Sequence, residues 1–197
     1  NAIELDEATL NISTTGAGAF NLRRSVAFGG DVSASQTLNV IAGVGGFAAT
    51  TTSADGFTND GLISLTDQDN ARTASLAVTA GTLMNEGTID AAVGLGGERH
   101  LSASLVNNGT VDANTTLRLN KASGVYTNNG SFNIAPSADV TLGGGGQLLF
   151  EQAAGTLDNQ GAFQVTASER FDFTGGVIAG NAIELDEATL NISTTGA

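Results

Sequence analysis

Residues 1–17 read NAIELDEATLNISTTGA, and residues 181–197 repeat those seventeen letters without a substitution. A chain that returns to itself at a fixed period builds each period alike and stacks it on the last, the mark of repeat architectures. The repetition predicts a slice of a tandem array, with residues 1–180 as one unit and 181–197 as the start of the next. Such a molecule is quasi-one-dimensional, and its stability sums over neighbouring repeats.

A shorter motif, apolar-x-Asn-x-Gly-x-apolar-x-apolar, recurs inside the long unit. Its clearest copies are Leu83 to Ala91 and Leu105 to Ala113, with looser ones at 57–65, 126–134 and 157–165. The glycine position falls at Asn1, Gly30, Gly61, Gly87, Gly109, Gly130, Gly161 and Asn181, in steps of 20 to 31 residues, so seven steps fill 180 residues. Two positions further on stand Ile3, Val32, Ile63, Ile89, Val111, Phe132, Phe163 and Ile183. Four positions on, every residue is again apolar, and the residues between are mostly polar. That is period two, a strand with one buried face. Further apolar pairs follow, such as Leu76/Val78, Leu117/Leu119 and Leu148/Phe150.

Two to three short strands in fixed order every 20 to 31 residues predict an all-β fold, a parallel β-solenoid of about seven coils per unit. The alternation of two, not 3.6, rules against helical repeats, and a propeller blade needs roughly 40–45 residues. Coils stack at about 4.8 Å, so like should lie on like: Ile89 near Val111, Phe132 near Phe163. Asn59, Asn85, Asn107, Asn128 and Asn159 are then expected as a hydrogen-bonded column, and Gly61, Gly87, Gly109, Gly130 and Gly161 as its turns.

Through its copies Asn85-Glu86-Gly87-Thr88-Ile89-Asp90-Ala91 and Asn107-Asn108-Gly109-Thr110-Val111-Asp112-Ala113 the chain resembles the β-helical stalks of large bacterial exoproteins. These are the filamentous-haemagglutinin-like adhesins and related biofilm-matrix proteins. The likeness spans nearly the whole chain. It implies a right-handed, secreted β-helix used in adhesion and cell-surface structure, with no catalytic residues to carry over. A secretion domain, an end cap and a binding tip are missing from these residues, so the resemblance implies a shaft more than an adhesive tip.

Charge narrows the partners. The chain carries 20 acids and 7 bases, a net −13. The second copy of the 17-mer holds three of those acids, Glu184, Asp186 and Glu187, and no base, so 17 acids and a net −10 fall to residues 1–180. Such a rod repels nucleic acid and anionic membranes. Lys121 is the only lysine, no cysteine is present, and no stretch is long and apolar enough to span a membrane. Further copies of the same repeat, covalent or stacked end to end, are the expected partners, with surface glycans as a second class.

Candidate sites are few. Glu4, Asp6 and Glu7, with Asp67 and Asp69 of the Thr66–Asn70 stretch, are candidates for loosely held calcium, though a solvated turn explains them better. Glu169, Arg170 and Asp172 form the best local cluster for polysaccharide chemistry, with a surface ion pair as the plainer reading. His100, the only histidine, reads as an exposed turn residue. Sequons at Asn11, Asn108, Asn114, Asn129 and Asn191 read as turn chemistry rather than glycosylation sites. Residues 41–56 and 143–155 read as insertions that project from the rod or shield Phe47, Leu148, Leu149 and Phe150. The chain is thus expected to be a non-enzymatic shaft segment of an extracellular bacterial filament, needing no cofactor. A polysaccharide- or host-binding adhesin repeat and a β-helix polysaccharide-active enzyme are the alternatives.

Overall fold

The computed structural model describes residues 1–69 and 72–193, so Asn70 of the candidate calcium stretch and the last four residues of the second 17-mer lie outside it. The chain winds as a parallel β-solenoid of about eight turns. Each turn visits up to three faces. The first face is a nine-stranded sheet of Ile3–Asp6, Gly18–Arg23, Gln36–Ala42, Leu62–Asp67, Thr88–Ala91, Thr110–Ala113, Ser131–Ile134, Thr156–Asn159 and Val177–Gly180.

The second face runs through Thr9–Asn11, Ser25–Gly29, Ala49–Ser53, Leu117–Leu119, Asp139–Leu142, Ala162–Thr166 and Ile183–Asp186. The third runs through Phe57–Asn59, Val125–Asn128, Leu149–Gln152, Arg170–Phe173 and Thr189–Ile192. Two long strands, Ala74–Asn85 and Arg99–Asn107, bend round the corner between these faces and join them into one 14-stranded sheet. All pairings are parallel, as a coil stacked on a coil requires. Among the described residues there is no α-helix, only the short 3-10 turn Val44–Gly46.

The period-two alternation sets which side chains enter the rod. Val111 and Ala113 of Thr110–Ala113 are sealed inside while their neighbours stay half-buried. Ile63, Ile89, Val111 and Phe132 stand in register on the first face, and Leu65, Ala91, Ala113 and Ile134 beside them. Near the C-terminal end four rings close the core. Phe132 comes from the first face, Phe163 from the second, Phe150 and Phe171 from the third. Phe150 meets Phe132 edge-on at 5.4 Å and Phe163 at 5.1 Å, and stacks on Phe171 at 5.5 Å.

The structure departs from the seven-step count at the Gly30 and Gly161 markers, and at Asn181, whose Ile183 follows Phe163 on the second face. Val32, after Gly30, lies on the third face, bridged to Asn59. Phe163, after Gly161, lies on the second face between Val140 and Ile183. It does meet Phe132, with centroids 6.3 Å apart, but across the core and not up a column. The first face is filled at those levels by Phe20 and Leu38 at one end and by Leu157 and Ile178 at the other. The physical reason is that apolar-x-apolar serves any face and Asn-x-Gly turns any corner. At Asn85–Gly87 the motif turns from the third face to the first; at Asn159–Gly161 it turns from the first to the second.

The two supposed insertions are largely built into the rod. Ile41 and Ala42 finish a first-face strand, and Ala49–Ser53 is a second-face strand. Among the large apolar residues of this stretch Phe47 stands out, with the Arg24 guanidinium 5.5 Å above its ring. In 143–155, Leu148 and Phe150 are core residues and Leu149–Gln152 is the third-face strand.

Candidate functional site

Three features concentrate the chemistry of the rod: a buried amide column, a buried ion pair and the two ends. The column occupies the corner between the third and first faces. Asn59 Nδ2 donates to Asn85 Oδ1, Asn85 to Asn107, and Asn107 to Asn128, each at 2.7 Å. Asn128 then donates to Gln152 Oε1 at 2.8 Å, so glutamine takes the fifth place. Each of the four asparagines also holds the next coil's turn: Asn85 Nδ2 reaches the Thr110 carbonyl at 2.9 Å and Asn107 Nδ2 the Ser131 carbonyl at 3.0 Å. Asn159 is buried too, but at the other corner, where it donates to the carbonyls of Asn181 and Ala182.

The glycines follow the same division. A Cβ on Gly87, Gly109 or Gly130 would run into the carbonyl oxygen of Gly61, Gly87 or Gly109 respectively. Gly155 and Gly176 continue that column, whereas Gly161 packs on Ala135 and Ala138. An outer file that sequence reading missed runs beside it, with Asn129 Nδ2 on Asn108 Oδ1 and Asn108 Nδ2 on Glu86 Oε1.

The central column sets a first expectation. Asn107→Ala removes the donor to Asn128 Oδ1 and the acceptor of Asn85 Nδ2 inside the rod. The loss is about 1–3 kcal/mol, the cost of leaving buried polar groups unpaired. Urea unfolding measures it; a midpoint unmoved by the substitution would mean that water replaces the amide.

Asp67, one of the calcium candidates, is committed elsewhere. Its carboxylate meets Arg99 Nη2 at 2.6 Å, and both side chains are fully shut from solvent. Leu95 and Gly97 amides donate to its two oxygens, each at 2.9 Å. Arg99 in turn donates to the carbonyls of Leu65, Ala92 and Gly97. Burial pushes the Asp67 carboxyl up, but the Gly97 amide and the Arg99 guanidinium outweigh it and hold it below the usual carboxylate range. These contacts occupy the oxygens a cation would use. Asp69 sits half-buried in the turn beyond. Among the described residues no three of His, Cys, Asp or Glu gather as a metal set.

Glu4, Asp6 and Glu7 are also paired. Glu4 meets Arg23 Nη2 at 2.7 Å, Asp6 meets Arg24 Nε, and Glu7 meets Arg24 Nη1 at 3.4 Å. The Arg24 hydrogen bond holds Asp6 below its ordinary value. Both arginines belong to the following coil. In the second copy, Glu184 has only Gln164 Nε2 at 3.1 Å, and Asp186 and Glu187 form no ion pair among the described residues.

That same end is apolar. Phe173, Ile178, Ile183, Leu185, Leu190 and Ile192 line an open hollow of about 520 Å³. Leu190 is 48 % exposed and Ile192 65 % exposed.

The remaining candidates scatter. Glu169 is buried and accepts from the Leu148 amide, while Arg170 and Asp172 pair outside at 3.0 Å, so the three do not converge. His100 lies on a strand, half-buried between Glu98 Oε2 at 3.0 Å and Asn120 Nδ2 at 3.3 Å. The Arg118 guanidinium grips Glu98 through two hydrogen bonds of 2.8 Å and, with His100, brings its carboxyl down to about 2. On the first face Asn133 donates to Asp112, and Asn114 to Asp90. Burial, with the neighbouring Asp112 charge, raises Asp90. Compared with protein-family models, with curated proteins and with solved structures, the chain matches none.

Proposed function

We propose that this chain is a non-enzymatic shaft segment of an extracellular, repeat-built filament, whose partner at each end is a further copy of the same repeat. The observation that carries the reading is the pairing of the two 17-mers with their neighbours. In the first copy, the next coil covers the strands and its arginines neutralise Glu4, Asp6 and Glu7. In the second copy the same strands end in an uncovered apolar hollow, with Asp186 and Glu187 lacking such arginines among the described residues.

A coil beginning like residues 18–30 supplies both what that hollow and those acids lack. Continuous parallel ladders then carry load along the axis, and each unit adds length at constant cross-section. The resemblance to β-helical stalks of secreted adhesins agrees with this work and with a surface location. Surface glycans are the alternative partner.

Denaturing mass measurement of the native chain tests the reading. A mass of many ~20 kDa units is expected for a covalent array. A chain near the size of one unit that stays monomeric, or that binds glycans as its main activity, would overturn it.

A further inference from the structure

Identical segments at the two ends of the chain stand on different faces of the rod. Ile3–Asp6 is a first-face strand, with Glu4 opposite Asn21, whereas its copy Ile183–Asp186 is a second-face strand, with Glu184 opposite Gln164. The strands that follow shift likewise. Leu10 pairs with Phe28 on the second face, and its copy Leu190 pairs with Phe171 on the third. Both shifts have the same size and sense. Nine first-face strands bound eight turns from Ile3–Asp6 to Val177–Gly180, and the chain then moves one face on before the 17-mer returns.

We infer that a tandem array of this unit rotates by one face, a third of a turn, with every 180 residues. The inference rests on the shaft reading above and adds the geometry of the joint. Identical sequence makes an identical joint, so every unit hands the chain to its successor one face further round. Three units of eight and a third turns close after 25 turns. At about 4.8 Å per coil the unit rises about 40 Å, and the true axial repeat is about 120 Å.

This rotation decides what the filament presents sideways. The polar first-face file of Thr88, Asp90, Thr110 and Asp112 points outward along one side of a unit. In the array it appears on each of the three sides in turn. No side carries an unbroken ladder of one kind for longer than a unit. Lateral zipping of two filaments needs long matched strips, so the rotation favours end-to-end growth over side-by-side bundling. A ligand of that file would meet it once per unit, each time at a new azimuth.

Cysteine pairs in the 197-residue chain test the register, because the chain has no cysteine of its own. Neighbouring outward positions on parallel strands fall within disulfide reach. Thr141→Cys with Gln164→Cys, and Glu4→Cys with Asn21→Cys, are expected to oxidise as completely as the control pair Asp90→Cys with Asp112→Cys. Asn133→Cys with Gln164→Cys is expected not to link. A link between 133 and 164 places Gln164 on the first face, gives the unit a whole number of turns and overturns the rotation. Failure of either diagnostic pair while the control links overturns it as well. Chain mass reads the array and these cross-links read the rotation, so one can fail without the other.

Discussion

Replacing Arg99 by methionine is expected to lower the unfolding free energy by about 3–5 kcal/mol, the cost of leaving a buried carboxylate without its counter-charge. The size follows from the enclosure. Asp67 is 4 % exposed and Arg99 0 %, and the pair holds the Ala92–Gly97 loop through four backbone groups, Ala92 O, Leu95 N, Gly97 N and Gly97 O, and ties it to the Leu65 carbonyl of the first face. Methionine fills much of the volume but leaves Asp67 charged in an apolar wall. Adding Asp67→Asn removes that charge, so the double variant should recover a large part of the loss.

Urea melts of the two single variants and the double complete the cycle. A double variant no more stable than Arg99→Met would show that the hydrogen bonds to the loop, and not the ion pair, hold this coil. The pair also gives an acid dependence. The folded-state value of Asp67 lies below its unfolded one, so its contribution is full above the unfolded value near 3.9. It is lost as pH falls through the lower, folded value, and Arg99→Met should be less sensitive to acid over that range than the parent.

Much of the fold was written in the letters, because burial in a stacked coil follows parity. The apolar positions after Gly61, Gly87, Gly109 and Gly130 do lie in register on one face. What the letters did not reveal was the face itself. All three faces demand apolar-x-apolar, and Asn-x-Gly fits more than one corner, so Gly161 and Asn159 carry the motif at a different corner from Gly130 and Asn128. Gln152 entered the amide column unannounced, because a glutamine, one methylene longer, can offer its carbonyl oxygen to the same Asn128 donor from a strand without the motif. The buried charges did carry a signal. Asp67 shares parity with Ile63 and Leu65, Arg99 with Leu101 and Ala103, and Glu169 with Phe171. Reading parity through the charged residues, rather than treating them as loop, places all three inside.

The other large effect belongs to the aromatic knot. Phe150→Ala is expected to cost about 3–5 kcal/mol, the range for emptying a buried phenylalanine. Its ring lies within 5.5 Å of Phe132, Phe163 and Phe171, closer than Phe163 comes to Phe132 or Phe171, and so ties the first, second and third faces at that level of the rod. No neighbour can fill the space, because the backbone of each coil is pinned by ladders above and below.

In a quasi-one-dimensional fold such damage stays near its source. Amide exchange should therefore quicken in Leu149–Gln152, Arg170–Phe173 and the strands beyond. The strands Leu62–Asp67 and Thr88–Ala91 should keep their protection, because their contacts run through other coils. Exchange that quickens equally along the whole rod would mean that the coils unfold as one unit. The coils would then lack the independence that their stacking implies.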